Sequence, residues 1–335
     1  MSIEQDFRSR FLSTGPLPHG RGAVSALCLA TGDRRLATFG CSYAALGRLV
    51  AATAIGLAMV STACGPKVTK INEPIKVAQA REATFDELIN LVNERYASSV
   101  RTLQVASLRV KAEGVERDKG LLKQYPRGSG YVILRRPASV HFNINNPLTH
   151  TTIADMASDG NLFQIFIPSE NKFIQGSTSV KRTESNPFYN IRPNHVVNAF
   201  LIEPLPASAD GGQIYLKETQ DAQAKYYVLG VIGAAGAGRA FLKREIFIER
   251  SQMVVDRQVY YEENGAPLSL IRYRGWNASS PGVATFIELD RPGDGYKLTF
   301  ELDPGSIQIN PEVETAAFVL NRPNGAELVE VKEKF

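Results

Sequence analysis

Between residues 84 and 96 the apolar side chains Phe85, Leu88, Ile89, Leu91, Val92 and Tyr96 recur at the spacing of one helical face. The spacing predicts an amphipathic helix. Thr84 and Glu87 form its capping box, the Thr84 hydroxyl accepting from the Glu87 N–H while the Glu87 carboxylate returns to the Thr84 N–H. From Leu103 the period falls to two, which predicts strands near 103–112, 130–136, 139–145, 150–157, 162–167 and 172–178. The breaks between them, such as Pro137-Ala138, Asn146-Pro147, Asp159-Gly160 and Pro168–Asn171, are too short for a parallel crossover, so these neighbours are expected to be antiparallel. From Pro193 to Glu203 the rhythm changes again, and Val196, Val197, Phe200 and Leu201 share one helical face. Strands resume near 213–218, 225–232, 239–250, 253–262, 267–276, 283–290, 295–302 and 316–320, with a closing strand at 327–331. About a dozen short strands with two helices and no internal repeat predict a mainly β fold. The expected architecture is a single large curved antiparallel sheet forming an incomplete, half-open barrel with a helical lid.

A sheet with one apolar face must cover it, by closing on itself or by laying helices over it. Val140, Phe142 and Ile144 share a face, as do Phe163, Ile165 and Ile167, and as do Leu242, Ile246 and Ile248. Val132 and Leu134 share theirs with Arg136, so a concave placement of that face would carry a charge inside. Together with Phe200 and Leu201 of the second helix, these positions are the candidates for a lid and cavity.

One stretch looks like an address. Arg48 is followed by a twelve-residue apolar run, 49–60, and then by Ser61-Thr62-Ala63-Cys64-Gly65. The run has the length of a signal-peptide core and falls short of the roughly 20 residues that span a bilayer. Small residues before a cysteine and glycine after it resemble the bacterial lipobox, in which the cysteine is diacylated; Ser61 stands where leucine is usual. The alternatives are an uncleaved anchor or a chance apolar segment. Residues 1–45 exceed an ordinary leader and read as a start site set too far upstream.

Composition narrows the function by exclusion. A formal charge of +4 would invite a polyanion if it were concentrated, yet residues 64–335 carry 32 basic against 31 acidic side chains. No nucleic-acid footprint remains. Cys28, Cys41 and Cys64 all precede residue 65, leaving no thiol for a zinc site, a disulfide or a nucleophile in the folded part. His141, His150 and His195 share no metal-binding spacing, and no GxSxG elbow occurs. Gly230, Gly233, Gly236 and Gly238 could suggest a phosphate loop, but strand-like residues 240–248 follow where a helix would have to start, so a flexible hairpin is expected. No metal, cofactor or catalytic residue is expected.

Two segments carry a resemblance to a known family. Residues 130–142 give a strand, the Arg136-Pro137 turn and a strand, followed by Ala157-Ser158-Asp159-Gly160 and the aromatic strand Leu162 to Pro168. Near the C-terminus stands Phe318-Val-Leu-Asn-Arg-Pro-Asn-Gly325. Both resemble the LolA/LolB lipoprotein-carrier superfamily, incomplete antiparallel barrels whose helical lid covers an apolar cavity. The resemblance implies that Arg136 hydrogen-bonds the lid, and acylation at Cys64 agrees with the anchored LolB type. It further implies acyl chains of lipoproteins or lipids as ligands, a periplasmic carrier protein as partner, and a membrane-attached place in the bacterial envelope, at the outer membrane facing the periplasm. The domain reading is a 1–63 leader and lipoprotein signal peptide, a 64–81 tether and an 82–335 half-barrel. The rival readings are a general lipid or glycolipid shuttle and a structural lipoprotein scaffold without cargo.

Overall fold

The computed structural model describes residues 79–116, 121–124, 127–180, 186–206, 213–234, 236, 238–276 and 280–331. The 1–63 leader, Cys64 and most of the 64–81 tether lie outside the described residues. Among those described, sixteen strands join one mixed sheet that stays open. The first group comprises β1 (Thr102–Glu116), β2 (Leu121–Gln124), β3 (Gly128–Arg135), β4 (Ser139–Asn145), β5 (Thr152–Ser158), β6 (Leu162–Ile167) and β7 (Lys172–Ser177). The second comprises β8 (Gln213–Gln220), β9 (Lys225–Ala234), β10 (Ala240–Glu249), β11 (Val254–Tyr261), β12 (Pro267–Trp276), β13 (Ala284–Arg291) and β14 (Tyr296–Leu302). Short strands β15 (Ile307–Ile309) and β16 (Glu327–Val331) follow. The spatial order β16-β7-β6-β5-β4-β3-β1-β14-β13-β12-β11-β10-β9-β8 makes two wings that meet where β1 pairs with β14.

Alternation decides which face of each wing is covered. Helix α1 (Phe85–Asn90) continues into a π-helical stretch, Leu91–Ser98, and its Leu88, Val92 and Tyr96 are fully buried on the inner face. Its capping box is formed, with the Thr84 N–H donating to Glu87 Oε2 at 2.7 Å and the Glu87 N–H donating to Thr84 Oγ1 at 3.3 Å. Helix α2 (Pro193–Phe200) adds Val196, Val197 and Phe200 to the same core. Burial of each such side chain contributes about 1.5–3 kcal/mol, which lets two short helices hold against a large sheet. A register shift between Val105 and Leu108, where β1 pairs with β3, marks an irregularity of the kind that bends a strand at a sheet's centre.

After β15 the chain crosses the outer face. Asn310 anchors the crossing, its Oδ1 accepting from the Arg101 N–H at 2.7 Å while its Nδ2 donates to the Ser99 carbonyl at 2.8 Å. Arg135 lies over the Phe318 ring at 4.6 Å, and Gln164 Oε1 accepts from the Leu320 N–H at 2.8 Å. The chain then adds β16 alongside β7.

Several expectations need correction. The β16–β7 pairing is parallel, because the strap across the outer face supplies a long crossover that the short turns elsewhere do not. Residues 316–320 are not a strand: Thr315–Phe318 is a 3₁₀ turn that buries Phe318 against strands it crosses rather than pairs with. Helix α2 stops at Phe200, three residues early: Leu201 is already extended, upstream of Glu203, where Pro204 would disfavour helical backbone. Gly230 and Gly233 belong to β9 rather than to a loose hairpin. A Cβ at Gly230 would stand 2.1 Å from the Tyr215 ring and one at Gly233 2.8 Å from Phe241, so these glycines make room for aromatics packed across the strand.

Candidate functional site

The inner face of the first wing is incompletely filled. A cavity of about 200 Å³ lies between β1, β3, β4, β5 and β6, Leu298 of β14 and the overlying segment Asn186 to Ile191. Of the side chains expected to line it, Phe142, Ile144, Ile165 and Ile167 do. Val132, Leu134, Val140, Phe200 and Leu201 are instead buried in the close-packed core, away from the lining. Phe163 is fully buried with the Arg192 guanidinium 5.5 Å from its ring centre, and is not part of the lining either. Val110, Met156 and Ile153 line the cavity without having been singled out. The alternation of β1 carries a signal for Val110; Ile153 sits at a register shift between β4 and β5, which no alternation rule reveals.

The roof is fastened at the rim. The Tyr189 hydroxyl donates to Glu170 Oε2 at 2.5 Å, and Lys172 Nζ donates to the same oxygen at 3.0 Å. These two donors hold the Glu170 carboxyl below its ordinary range. The rim also carries exposed apolar groups: Val115 at the end of β1, Leu122 on β2, and Leu148, 88% exposed, in the β4–β5 turn. The strand order places all three at the end of the sheet where Ile144 and Ile167 line the cavity. An adjoining open groove of about 550 Å³ runs between Val115 and Leu122 on one side and Pro292 to Lys297 on the other.

A polar group lies beneath the segment that follows α2. Arg136 donates through Nε to the Val100 carbonyl at 2.9 Å, and through Nη2 to the carbonyls of Tyr96 at 3.3 Å and Ile202 at 2.8 Å. It thereby ties the end of the α1 stretch to the chain leaving α2, and burial lowers the affinity of its guanidinium for a proton. Arg244 of β10, 3% exposed, donates to the carbonyls of Glu203 at 3.1 Å and Pro204 at 3.2 Å. The Leu205 N–H donates to Asn93 Oδ1 at 2.8 Å. Arg244 was invisible in the sequence, where a lysine-arginine pair inside a strand reads as solvated.

Among the described residues, His141 and His195 form no relay with the partners they meet. His141 Nε2 meets both Asp155 Oδ1 at 2.9 Å and the Tyr131 hydroxyl at 3.1 Å, so both partners share one ring nitrogen and no proton path crosses the imidazole. His195 Nδ1 meets the Tyr296 hydroxyl at 2.5 Å. Burial and the Arg291 and Arg192 guanidiniums hold its imidazole well below the usual histidine range. No group of three or more metal-ligating side chains gathers among the described residues.

Comparison with solved structures places similar folds beside this one. A LolA-superfamily protein from Nitrosomonas europaea matches 71% of this chain and 99% of its own, at 14% identity and a TM-score of 0.43. A DUF1329 family protein from Desulfovibrio piger matches 69% and 94%, at 12% identity and a TM-score of 0.45. A putative outer membrane lipoprotein-sorting protein domain from Vibrio parahaemolyticus matches 69% and 94% at 8% identity and a TM-score of 0.43. These likenesses are of fold, and no residue's role is carried over by them. No family model and no curated protein matches the sequence.

Proposed function

We propose that the chain is a lipid-anchored envelope protein that takes acyl chains into the first-wing cavity and passes them on in lipoprotein sorting to the outer membrane, without covalent chemistry. The observation that carries this reading is the cavity itself: an apolar gap on the covered face of an open sheet, roofed by Asn186 to Ile191, at the end of the sheet that also bears exposed Leu148. At about 200 Å³ the closed gap is smaller than the roughly 300–1,000 Å³ of ordinary ligand sites, so a long chain requires the roof to lift. Each methylene buried contributes about 0.8 kcal/mol, enough for such a cavity to compete with membrane. The hydrogen bonds of Arg136 to carbonyls at the end of the α1 stretch and just after α2 support a role in holding the lid shut. Cys64, as the acylated residue, would supply the two chains that stable attachment needs.

Native mass spectrometry of the purified full chain tests the central reading. Copurified lipid, or saturable binding of an acyl probe displaced by lipopeptide, is the expected result; binding that lipopeptide fails to displace points to a general lipid shuttle. Neither lipid nor saturable binding would leave a partner-holding scaffold, a reading that the filled second wing favours. Palmitate labelling that persists in Cys64→Ala would remove the anchor.

A further inference from the structure

The polar group under α2 has an organisation that holding a lid does not require. Three successive backbone carbonyls, those of Ile202, Glu203 and Pro204, face two guanidiniums rising from the sheet floor, Arg136 and Arg244. Both hydrogen bonds of Arg244 go to this segment, as does its ion pair, 3.7 Å from Glu203 Oε2. Beside it on the inner face stand Gln258, fully buried, and Tyr260. Gln258 donates to the Tyr273 hydroxyl at 2.6 Å, yet its Oε1 is buried without a hydrogen bond, and the buried Tyr260 hydroxyl has the Arg244 guanidinium beside it. Turning the Gln258 amide over would only exchange which of its atoms is left over. Unsatisfied buried polar groups are rare because each costs about 1–3 kcal/mol, and the Gln258 oxygen, on the same face as a buried guanidinium and a buried tyrosine hydroxyl, marks a surface built to meet something polar.

Helix α2 separates this floor from the cavity. Phe200 packs edge-on to Phe300 at 4.9 Å, and Phe300 edge-on to the cavity-lining Phe142 at 5.7 Å. Lifting α2 with residues 202–204 would join the apolar gap to the polar floor and strip Arg244 of its hydrogen-bond partners. A buried guanidinium left unpaired costs several kcal/mol, so the open state is favoured only by a ligand that brings acceptors of its own. A bare hydrocarbon brings none.

We infer that Arg244, with Arg136, Gln258 and Tyr260, forms a subsite for the ester or amide carbonyls of a lipid headgroup, and that the carbonyls of Ile202 to Pro204 occupy it as a built-in stand-in when the protein is empty. This rests on the acyl-binding reading above and adds selection: tails enter the first wing, carbonyls dock under α2.

The test compares two fluorescent probes of equal chain length on the full chain, a pyrene-tagged hydrocarbon and the corresponding methyl ester. The ester is expected to bind about tenfold or more tightly, the scale of a charge-assisted hydrogen bond, and this preference should shrink to within about threefold in Arg244→Met. In the wild-type protein the ester carbonyl stretch should also move to lower wavenumber on binding, a readout that stands even where the variant fails to fold. Equal affinities in the wild type, a preference that survives Arg244→Met, or an unshifted stretch would overturn the subsite while leaving saturable hydrocarbon binding, and with it the acyl carrier, in place. Failure of both probes to bind would remove the carrier and the subsite together.

Discussion

The two wings obey the same alternation and end with different interiors. In the second wing Tyr96 of the α1 stretch packs against Trp276 at 4.9 Å, Trp276 lies 5.4 Å from Tyr273, and Leu229, Ile246, Ile248 and Ile271 fill the floor. In the first wing the helix covering β4 and β5 is only eight residues long, the neighbouring roof is a four-residue 3₁₀ turn, Pro187–Asn190, and a gap of about 200 Å³ remains beneath it. One-sided strands therefore make a core only where a long enough apolar stripe faces them. Where the stripe is short they leave a gap, and the gap is where a ligand has room.

The largest expected effect tests the filled wing. Tyr96→Ala removes a fully buried ring and the acceptor of the Val255 N–H at 3.2 Å, so it should cost about 4 kcal/mol in urea unfolding. Phe142→Ala, beside an existing gap, should cost nearer the lower end, about 3 kcal/mol. Equal losses would mean that the wings are packed alike. Enlarging a small residue should keep the same order. Ala284→Leu, in the filled wing, is expected to lose about 1–3 kcal/mol by overpacking. Ala154→Leu, on the cavity lining, should lose less than about 1.5 kcal/mol while sharply weakening acyl-probe binding.

A smaller effect concerns α2, the partition between the wings. His195 has its folded-state affinity for a proton lowered well below the value of 6.5, so the unfolded chain takes up the proton first. Its contribution is constant above about pH 6.5 and is lost as pH falls below it, by up to about 1.4 kcal/mol per pH unit, until the folded-state titration is reached. His195→Gln should flatten the stability profile between pH 6.5 and 5 relative to wild type; a parallel profile would place the acid sensitivity elsewhere. The smallest effect is at the rim. Tyr189→Phe deletes one hydrogen bond to Glu170, and should cost about 1 kcal/mol or less while speeding probe uptake in stopped-flow measurements.

Much of this was legible in the sequence because it is local. The Thr84 and Glu87 cap, the two-residue period and the short turns fix strands and helices through neighbours a few positions apart. The cavity was half legible: Phe142, Ile144, Ile165 and Ile167 follow from alternation, but whether a buried side chain fills the core, as Leu134 and Val140 do, or borders a gap depends on what the covering segment brings. Short β2 and β15 pair only with β1 and leave too brief a pattern to detect. Arg244 was hidden because nothing near it in the chain shows that residues 203–204 lie over it.

The parallel β16 has a kinetic consequence. Until residues 327–331 arrive, the far side of β7 is an open edge, and the strap that carries β16 must first find the outer face of strands made some 150 residues earlier. Pairing across such sequence distance closes slowly, and an unpaired apolar edge is a template for intermolecular strand addition. β16 then becomes the edge itself, carrying Glu327 and Glu330, so a chain of this design is most exposed to aggregation in the interval between making β7 and adding β16, and its dependence on chaperones during synthesis should exceed what the stability of the finished fold suggests.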